Sequence, residues 1–195
     1  MRFTHRLLEH PAVYAAWQRP FVQKKFAPVE RWLQNRPMRR VLDVGCGPGT
    51  NAPRFSGAEY VGVDINEEYL AIARSKHAGR FVQADLAVAD LTSFGAFDVI
   101  LVNSFLHHLP DGAVTRLLGQ LAQLLEPDGR IHILELVLPR QISLEKIMAR
   151  LDRGRFARPL PAWQTLFSTH FDAAVIEPYT VAGLWALVYF QGKRK

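Results

Sequence analysis

Between Arg40 and Leu138 the chain alternates short apolar runs with helical stretches, and this alternation restricts the fold more than any other feature of its 195 residues. The runs RVLDVG (Arg40–Gly45), YVGVDI (Tyr60–Ile65), RFVQADL (Arg80–Leu86), FDVILVN (Phe97–Asn103) and RIHILELVL (Arg130–Leu138) read as strands. Their β-branched content suggests burial on both faces, as in a parallel sheet. Asn66–His77 and Asp111–Leu125 read as connecting helices; Asn66 is a good N-cap, and Pro127 with Gly129 ends the second. Strands alternating with helices make a doubly wound α/β sheet. Beyond Leu138 the pattern changes. Ile142–Leu151 and Pro161–Phe171 look helical, and Ala173–Val181 and Gly183–Gln191 form two strands with almost no connection. So short a link permits only an antiparallel hairpin. The stretch Tyr189–Gly192 resembles part of a protease-site tag, but it continues the apolar strand pattern and is read as native.

Ahead of the sheet, residues 11–35 look helical. Val22, Phe26, Val29 and Leu33 recur on one helix face, Lys24 and Arg31 fall opposite, and Pro28 is expected to kink or divide the segment. The division is therefore an N-terminal helical segment, residues 1–37, and one α/β domain, residues 38–195. A single cysteine excludes an intrachain disulfide and a Cys-rich zinc site. The absence of a run of about 18 apolar residues argues against a membrane-spanning helix. Residues 1–20 are basic without an apolar core, so no signal peptide is read and a cytoplasmic protein is expected. The net charge of +6 is uneven: +7 over residues 1–40, −6 over 41–138 and +5 over 139–195. The two basic arms are either solvated surface or a meeting place for something anionic.

The chemistry concentrates in Asp43-Val-Gly45-Cys46-Gly47-Pro-Gly49-Thr50. Glycines between a strand and a following helix permit positive φ and close ligand approach, and the helix N-terminus is expected to offer N–H groups to an anionic group. Asp64 ends the second strand, nineteen residues after Gly45, where a carboxylate can accept ribose hydroxyls. Asp85 ends the third, where a carboxylate can take a purine amine. Both NAD and S-adenosylmethionine (SAM) suit such a site. The dinucleotide fingerprint Gly-x-Gly-x-x-Gly requires glycine at position 50, which is Thr.

The spacing Asp43-x-Gly45-x-Gly47-x-Gly49 resembles instead that of the class I SAM-dependent methyltransferases. The resemblance covers residues 38–138 by motif and the terminal hairpin by topology; Ala84-Asp85-Leu86, Phe97–Asn103 and Leu125–Ile131 match further family segments. It implies a Rossmann-like, mostly parallel seven-stranded sheet of order 3-2-1-4-5-7-6 with an antiparallel last strand. It implies SAM as cofactor, S-adenosylhomocysteine as product, and residues 1–37 as an N-terminal helical lid over the substrate. The cofactor residues implied are Asp43, Gly45, Cys46, Gly47, Gly49, Asp64, Ile65, Asp85, Leu86 and Asn103. Cys46 reads as a small buried residue of the loop, and no metal is expected.

For catalysis, His107 and His108 follow the fourth strand at the substrate-facing edge, and either imidazole can serve as a base near neutral pH or simply fill the turn. Glu135 in the fifth strand points into the pocket or bonds nearby backbone. The family's nucleic-acid amino methyltransferases carry Asn/Asp-Pro-Pro-aromatic where this chain has Asn103-Ser-Phe-Leu, so nucleic acid loses support as a partner. Arg150, Arg153, Arg155 and Arg158 suggest a small, partly apolar substrate that is anionic, or one carried on an acidic protein or at an anionic membrane surface. The alternative is that Arg153, Arg155 and Arg158 pair with acids of the core. A non-catalytic scaffold and an NAD-dependent oxidoreductase are the competing functions.

Overall fold

The computed structural model describes residues 23–34, 36–141, 143–151 and 154–195, without the side chains of residues 150 and 151. The chain divides into two units, Met1–Arg36 and Pro37–Lys195. In the first, residues 23–33 are helical, with Phe26 and Val29 buried and Lys24 and Arg31 exposed. The helix runs unbroken through Pro28, so the proline does not divide the segment. A proline forfeits one backbone donor, and this helix tolerates that single loss. Val22 and the rest of the expected lid lie outside the described residues.

The second unit contains strands β1 (Arg40–Val44), β2 (Glu59–Asp64), β3 (Arg80–Gln83), β4 (Phe97–Asn103), β5 (Leu125–Leu136), β6 (Phe171–Val181) and β7 (Trp185–Arg194). Its helices are α1 (Glu67–Lys76), α2 (Asp111–Gln123), α3 (Leu144–Leu151) and α4 (Leu160–His170). The sheet order is β3-β2-β1-β4-β5-β7-β6. The first five strands pair with one another in parallel, and β7 is antiparallel to both β5 and β6. The class I order and the antiparallel last strand are thus as expected.

Alternate residues on each strand form the core. Leu42, Val44, Val61, Val63, Ile100, Val102, Ile131, Ile133, Val188 and Phe190 belong to one cluster with Val114, Leu117, Leu118 and Leu121 of α2 and Trp163 and Phe167 of α4. Burying each such side chain contributes about 1.5–3 kcal/mol. Tyr189–Gly192 lies inside β7 and pairs with β5, which makes it part of the sheet. Several boundaries differ from the sequence reading: β3 ends at Gln83 rather than Leu86, and β6 and β7 begin at Phe171 and Trp185 rather than Ala173 and Gly183. Strand β5 starts at Leu125 rather than Arg130; Leu125 pairs with Phe97, and after a register shift Arg130 pairs with Val99. The helix expected after the glycine loop is only a 3₁₀ turn, Ala52–Phe55. Pro53 lies at its start and Gly57 follows with φ +96°, which leaves no room for an α-helix.

Candidate functional site

The carboxyl ends of β1, β2 and β4 converge on the loop of residues 45–49. Gly45, Gly47 and Gly49 have φ of +72°, +54° and +74°, a region costly for other residues. A Cβ on Gly45 would stand 2.6 Å from the Phe105 ring, and one on Gly49 would stand 2.9 Å from His77. A Cβ on Gly47 would meet none of the described residues within 4 Å, so among them this glycine faces open space. The expected row of N–H groups for an anion is not there. Gly45 N and Cys46 N both donate to Val63 O, Gly47 N donates to Asp64 Oδ2 at 2.8 Å, and Gly49 N donates to Cys46 O. The glycines bind the loop to β2, and no α-helix follows to supply further donors.

Asp43 is fully buried on the sheet face opposite Leu42 and Val44. Its Oδ2 accepts the Tyr60 hydroxyl at 2.5 Å and Asn51 Nδ2 at 3.2 Å, while Oδ1 is buried without a hydrogen-bond partner among the described residues. Burial pushes its acid up to about 6, against the pull of the Tyr60 and Asn51 donors. Asn103, at the end of the adjacent strand β4, also has a buried Oδ1 without a partner. Asp64 is half-buried; its Oδ1 accepts Asn66 N at 2.9 Å, and each carboxylate oxygen retains a lone pair. Asp85 lies two residues beyond the end of β3, is exposed, and accepts Ala87 N. Leu86 is buried and Ile65 is 57% exposed. Cys46 is buried against Gly62, and burial pushes its thiol far up, so it is inert.

The second cluster joins the ends of β4 and β5. Parallel register sets Asn103 beside Leu134, which brings Glu135 under the following turn. Glu135 is fully buried; its Oε1 accepts Phe105 N at 2.8 Å and Leu106 N at 2.6 Å, and its Oε2 lies 2.7 Å from His107 Nδ1. Burial pushes the Glu135 acid up, but His107 and the two N–H donors prevail and hold it below the usual range. Ser104 enters the turn at φ +55°. His107 is buried, its carbonyl accepts Phe156 N, and its ring leaves no space for a Cβ on Gly154. His108 is exposed, with its ring centroid 4.3 Å from that of His107.

Arg158 does not reach toward substrate. It is 6% exposed, donates to Leu106 O, Leu109 O and Phe156 O, pairs with Asp111 Oδ1 at 2.6 Å, and lies 4.7 Å over the Trp163 ring. Its five donors are consumed in tying the turn to α4, which favours the structural-pairing alternative over the substrate-gripping one for this arginine. Arg155 is exposed; Arg153 and the Arg150 side chain lie outside what is described. An open cleft of about 700 Å³ sits at the amino ends of β2 and β3, between Pro53, Phe55, Glu59, Lys76 and Arg80. It is at the opposite end of the strands from both clusters.

Three residues of the site escaped sequence reasoning. Tyr60 carries the signal in retrospect: a hydroxyl in a buried aliphatic strand needs a partner, and β2 lies beside Asp43. Asn51 and Phe105 have no local signal, because their roles depend on the path of the loop.

The residues present fit SAM. Open space at Gly47, a carboxylate at each of the first two strand ends, and the partnerless Asp43 oxygen form a site for a ligand rich in donors. Residues 41–129 match the family described as "Methyltransferase domain". A methyltransferase of Geobacillus is 34% identical over 129 residues, covering 63% of this chain and 50% of that protein, so the chain spans about half the length of that relative. The demethylmenaquinone methyltransferase of Thermus thermophilus is 32% identical over 161 residues, covering 78% of this chain and 70% of that protein. The ubiquinone biosynthesis O-methyltransferase of Aromatoleum aromaticum is 30% identical, over 62% and 58%. Among solved structures, the magnesium protoporphyrin IX methyltransferase of Synechocystis, crystallised with S-adenosylhomocysteine, superposes with a TM-score of 0.70 at 22% identity, covering 91% of this chain and 85% of that one. With the sheet order, the glycine loop and these relatives in agreement, the chain belongs to the class I SAM-dependent methyltransferase family, and SAM is its cofactor.

Proposed function

We propose that this chain transfers the methyl group of SAM to a small, partly apolar acceptor that is anionic or is presented by an anionic carrier or surface. The observation that carries the cofactor half is the buried Oδ1 of Asp43, which lacks a partner. A buried carboxylate oxygen is costly until it meets a donor, and most of all a cation. SAM offers an ammonium group, whereas the pyrophosphate of NAD has the wrong sign. Bound SAM supplies an activated methyl group on a sulfonium, so transfer is an in-line displacement that depends on positioning.

The chain's own residues provide that positioning. Asp43 would hold the ammonium, Asp64 the ribose hydroxyls, and Asp85 with Ile65 and Leu86 the adenine edge and face. Phe105, packed on Gly45, presents a ring to positive charge. His108 is the exposed imidazole of the pair and takes the acceptor's proton. His107, covered and bonded to Glu135, braces the turn from which His108 projects.

The acceptor half rests on the segment after β5. Leu144, Ile147 and Phe156 are large apolar residues left exposed there, and Arg140 and Arg155 are exposed in the same segment. Two relatives are named for demethylmenaquinone and ubiquinone biosynthesis, which supports a quinone-like ring carrying an ionisable hydroxyl. Calorimetric titration with SAM, S-adenosylhomocysteine and NAD tests the first half. Micromolar binding of the first two, lost in Asp64→Ala, supports it; binding of NAD alone overturns it, and binding of none favours a scaffold. Label transfer from methyl-labelled SAM to demethylated quinols and acidic aromatics tests the second half. Exclusive methylation of neutral polar acceptors overturns it.

A further inference from the structure

We infer that Tyr60 is a positioning residue of the cofactor site: its hydroxyl takes Oδ2 of Asp43 and thereby leaves Oδ1 to the cofactor's ammonium. The inference rests on the SAM reading above and extends it to a residue that does not touch the cofactor.

The geometry is specific. Tyr60 is 3% exposed, and its O–H···O contact to Asp43 is 2.5 Å, within the short range of charge-assisted bonds. Its ring is fixed by tilted contacts with Phe55 at 6.1 Å and Phe81 at 5.7 Å. The hydroxyl therefore meets Asp43 from a rigid platform. Asn51 approaches the same oxygen, so both donors converge on Oδ2, and none of the described residues donates to Oδ1. A carboxylate satisfied on one side only is oriented as well as charged.

The hydrogen bond also favours the ionised state that an ammonium requires. The groups facing Asp43 are Tyr60 and Asp64 from β2, and Cys46 and Asn51 from the loop and the turn after it. Its register neighbour on β4 is Leu101, which is uncharged. Asp64 and Cys46 give no stabilisation to a second negative charge, and Asn51 is neutral and more distant. Tyr60 is thus the main group keeping Asp43 a carboxylate near neutral pH. The phenol itself stays protonated, since burial and the adjacent Asp43 push it well above its ordinary range.

The test is calorimetric binding to wild type and Tyr60→Phe from pH 5.5 to 8.5. The probes are S-adenosylhomocysteine and 5′-methylthioadenosine, which lacks the amino-acid moiety. The phenylalanine ring retains both aromatic contacts, so the variant is expected to fold; Asn51→Ala, which removes the second donor, is the companion variant. Tyr60→Phe should weaken S-adenosylhomocysteine roughly tenfold at pH 6.5, the effect of one hydrogen bond to a charged group. The loss should shrink toward pH 8.5, because the pH below which affinity falls moves upward. Methylthioadenosine affinity should change less than about twofold, as its contacts do not involve Asp43. An equal loss for both probes, or a loss independent of pH, reduces Tyr60 to core packing and overturns the inference. Wild type that binds neither probe overturns the SAM reading itself, a result distinct from either.

Discussion

Asp43→Asn should make the ligand-free protein more stable at neutral pH while impairing cofactor binding. The Asp43 acid sits near 6 in the fold against an ordinary 3.8, and burial is the main cause. The folded chain therefore holds this proton more tightly than the unfolded chain. Stability from this group is fully present below about pH 4, declines as pH rises through the window from 4 to 6, and does not return above it. A shift of about two units corresponds to about 3 kcal/mol. Asparagine keeps the shape and removes the charge, and its carbonyl still accepts from Tyr60. The rearranged amide forfeits roughly 1 kcal/mol of hydrogen bonding. The variant should accordingly exceed wild type by about 2 kcal/mol at pH 8 and fall slightly below it at pH 4. Urea unfolding of both proteins at half-unit pH steps measures this difference, and subtraction removes every other titrating group if the sites are independent. Two parallel curves would refute the argument, since they would show that Asp43 does not titrate in the window. The same variant should bind S-adenosylhomocysteine at least tenfold more weakly than wild type. Conversely, saturating SAM should narrow the stability gap, because the ligand stabilises only the wild-type charge.

Arg158→Met should lower stability by about 3 kcal/mol, because three backbone carbonyls lose a buried cationic donor. In a chain of this size that is a drop of roughly 5–10 °C in Tm, visible by calorimetry; an unchanged Tm would return Arg158 to the substrate side. Gly45→Ala should abolish cofactor binding through positive φ and collision with Phe105, and Gly45→Ala/Phe105→Ala should recover part of the stability loss but little of the binding. Additive losses in that cycle would show the ring is not the obstacle. His108→Ala should reduce kcat by about 10²–10⁴ with S-adenosylhomocysteine affinity unchanged. Glu135→Gln should lower stability as well as kcat, because one amide cannot accept two N–H groups and orient His107 as a carboxylate does. If His107→Ala alone removes the acid limb of the rate profile, where a protonated base is inactive, the roles of the two histidines are reversed.

The sheet was legible because its information is local. Apolar runs ending in Asp64 and Asn103, N-caps such as Asn66, and the short link between the last two strands each state their structure within a few residues, and Asn66 Oδ1 does cap α1 by accepting Tyr69 N. The sequence leaves open what neighbours in space decide. Charge alone does not choose between the two readings of Arg158, because its environment is set by carbonyls 49 and 52 residues away in sequence. His107, His108 and Glu135 were found as types but not as a unit, since only the β4–β5 register sets Glu135 beneath the turn.

The glycine loop carries the deeper lesson, because its pattern was recognised and part of its physics was reversed. Read as sequence, three glycines before a helix suggest backbone donors awaiting an anion. In the fold, the N–H groups of Gly45, Cys46, Gly47 and Gly49 are bonded within the protein, and the partnerless atoms nearby are acceptors, on Asp43 and Asn103. The charge pattern agrees: the segment from 41 to 138 is net −6, and Asp43, Asp64 and Asp85 all stand at or near strand ends. On the function proposed above, such a site would select a donor-rich cation rather than a phosphate. That sign would separate an ammonium- and sulfonium-bearing cofactor from a dinucleotide more directly than the glycine spacing, and the discrimination would lie in Asp43 and in the tyrosine that orients it.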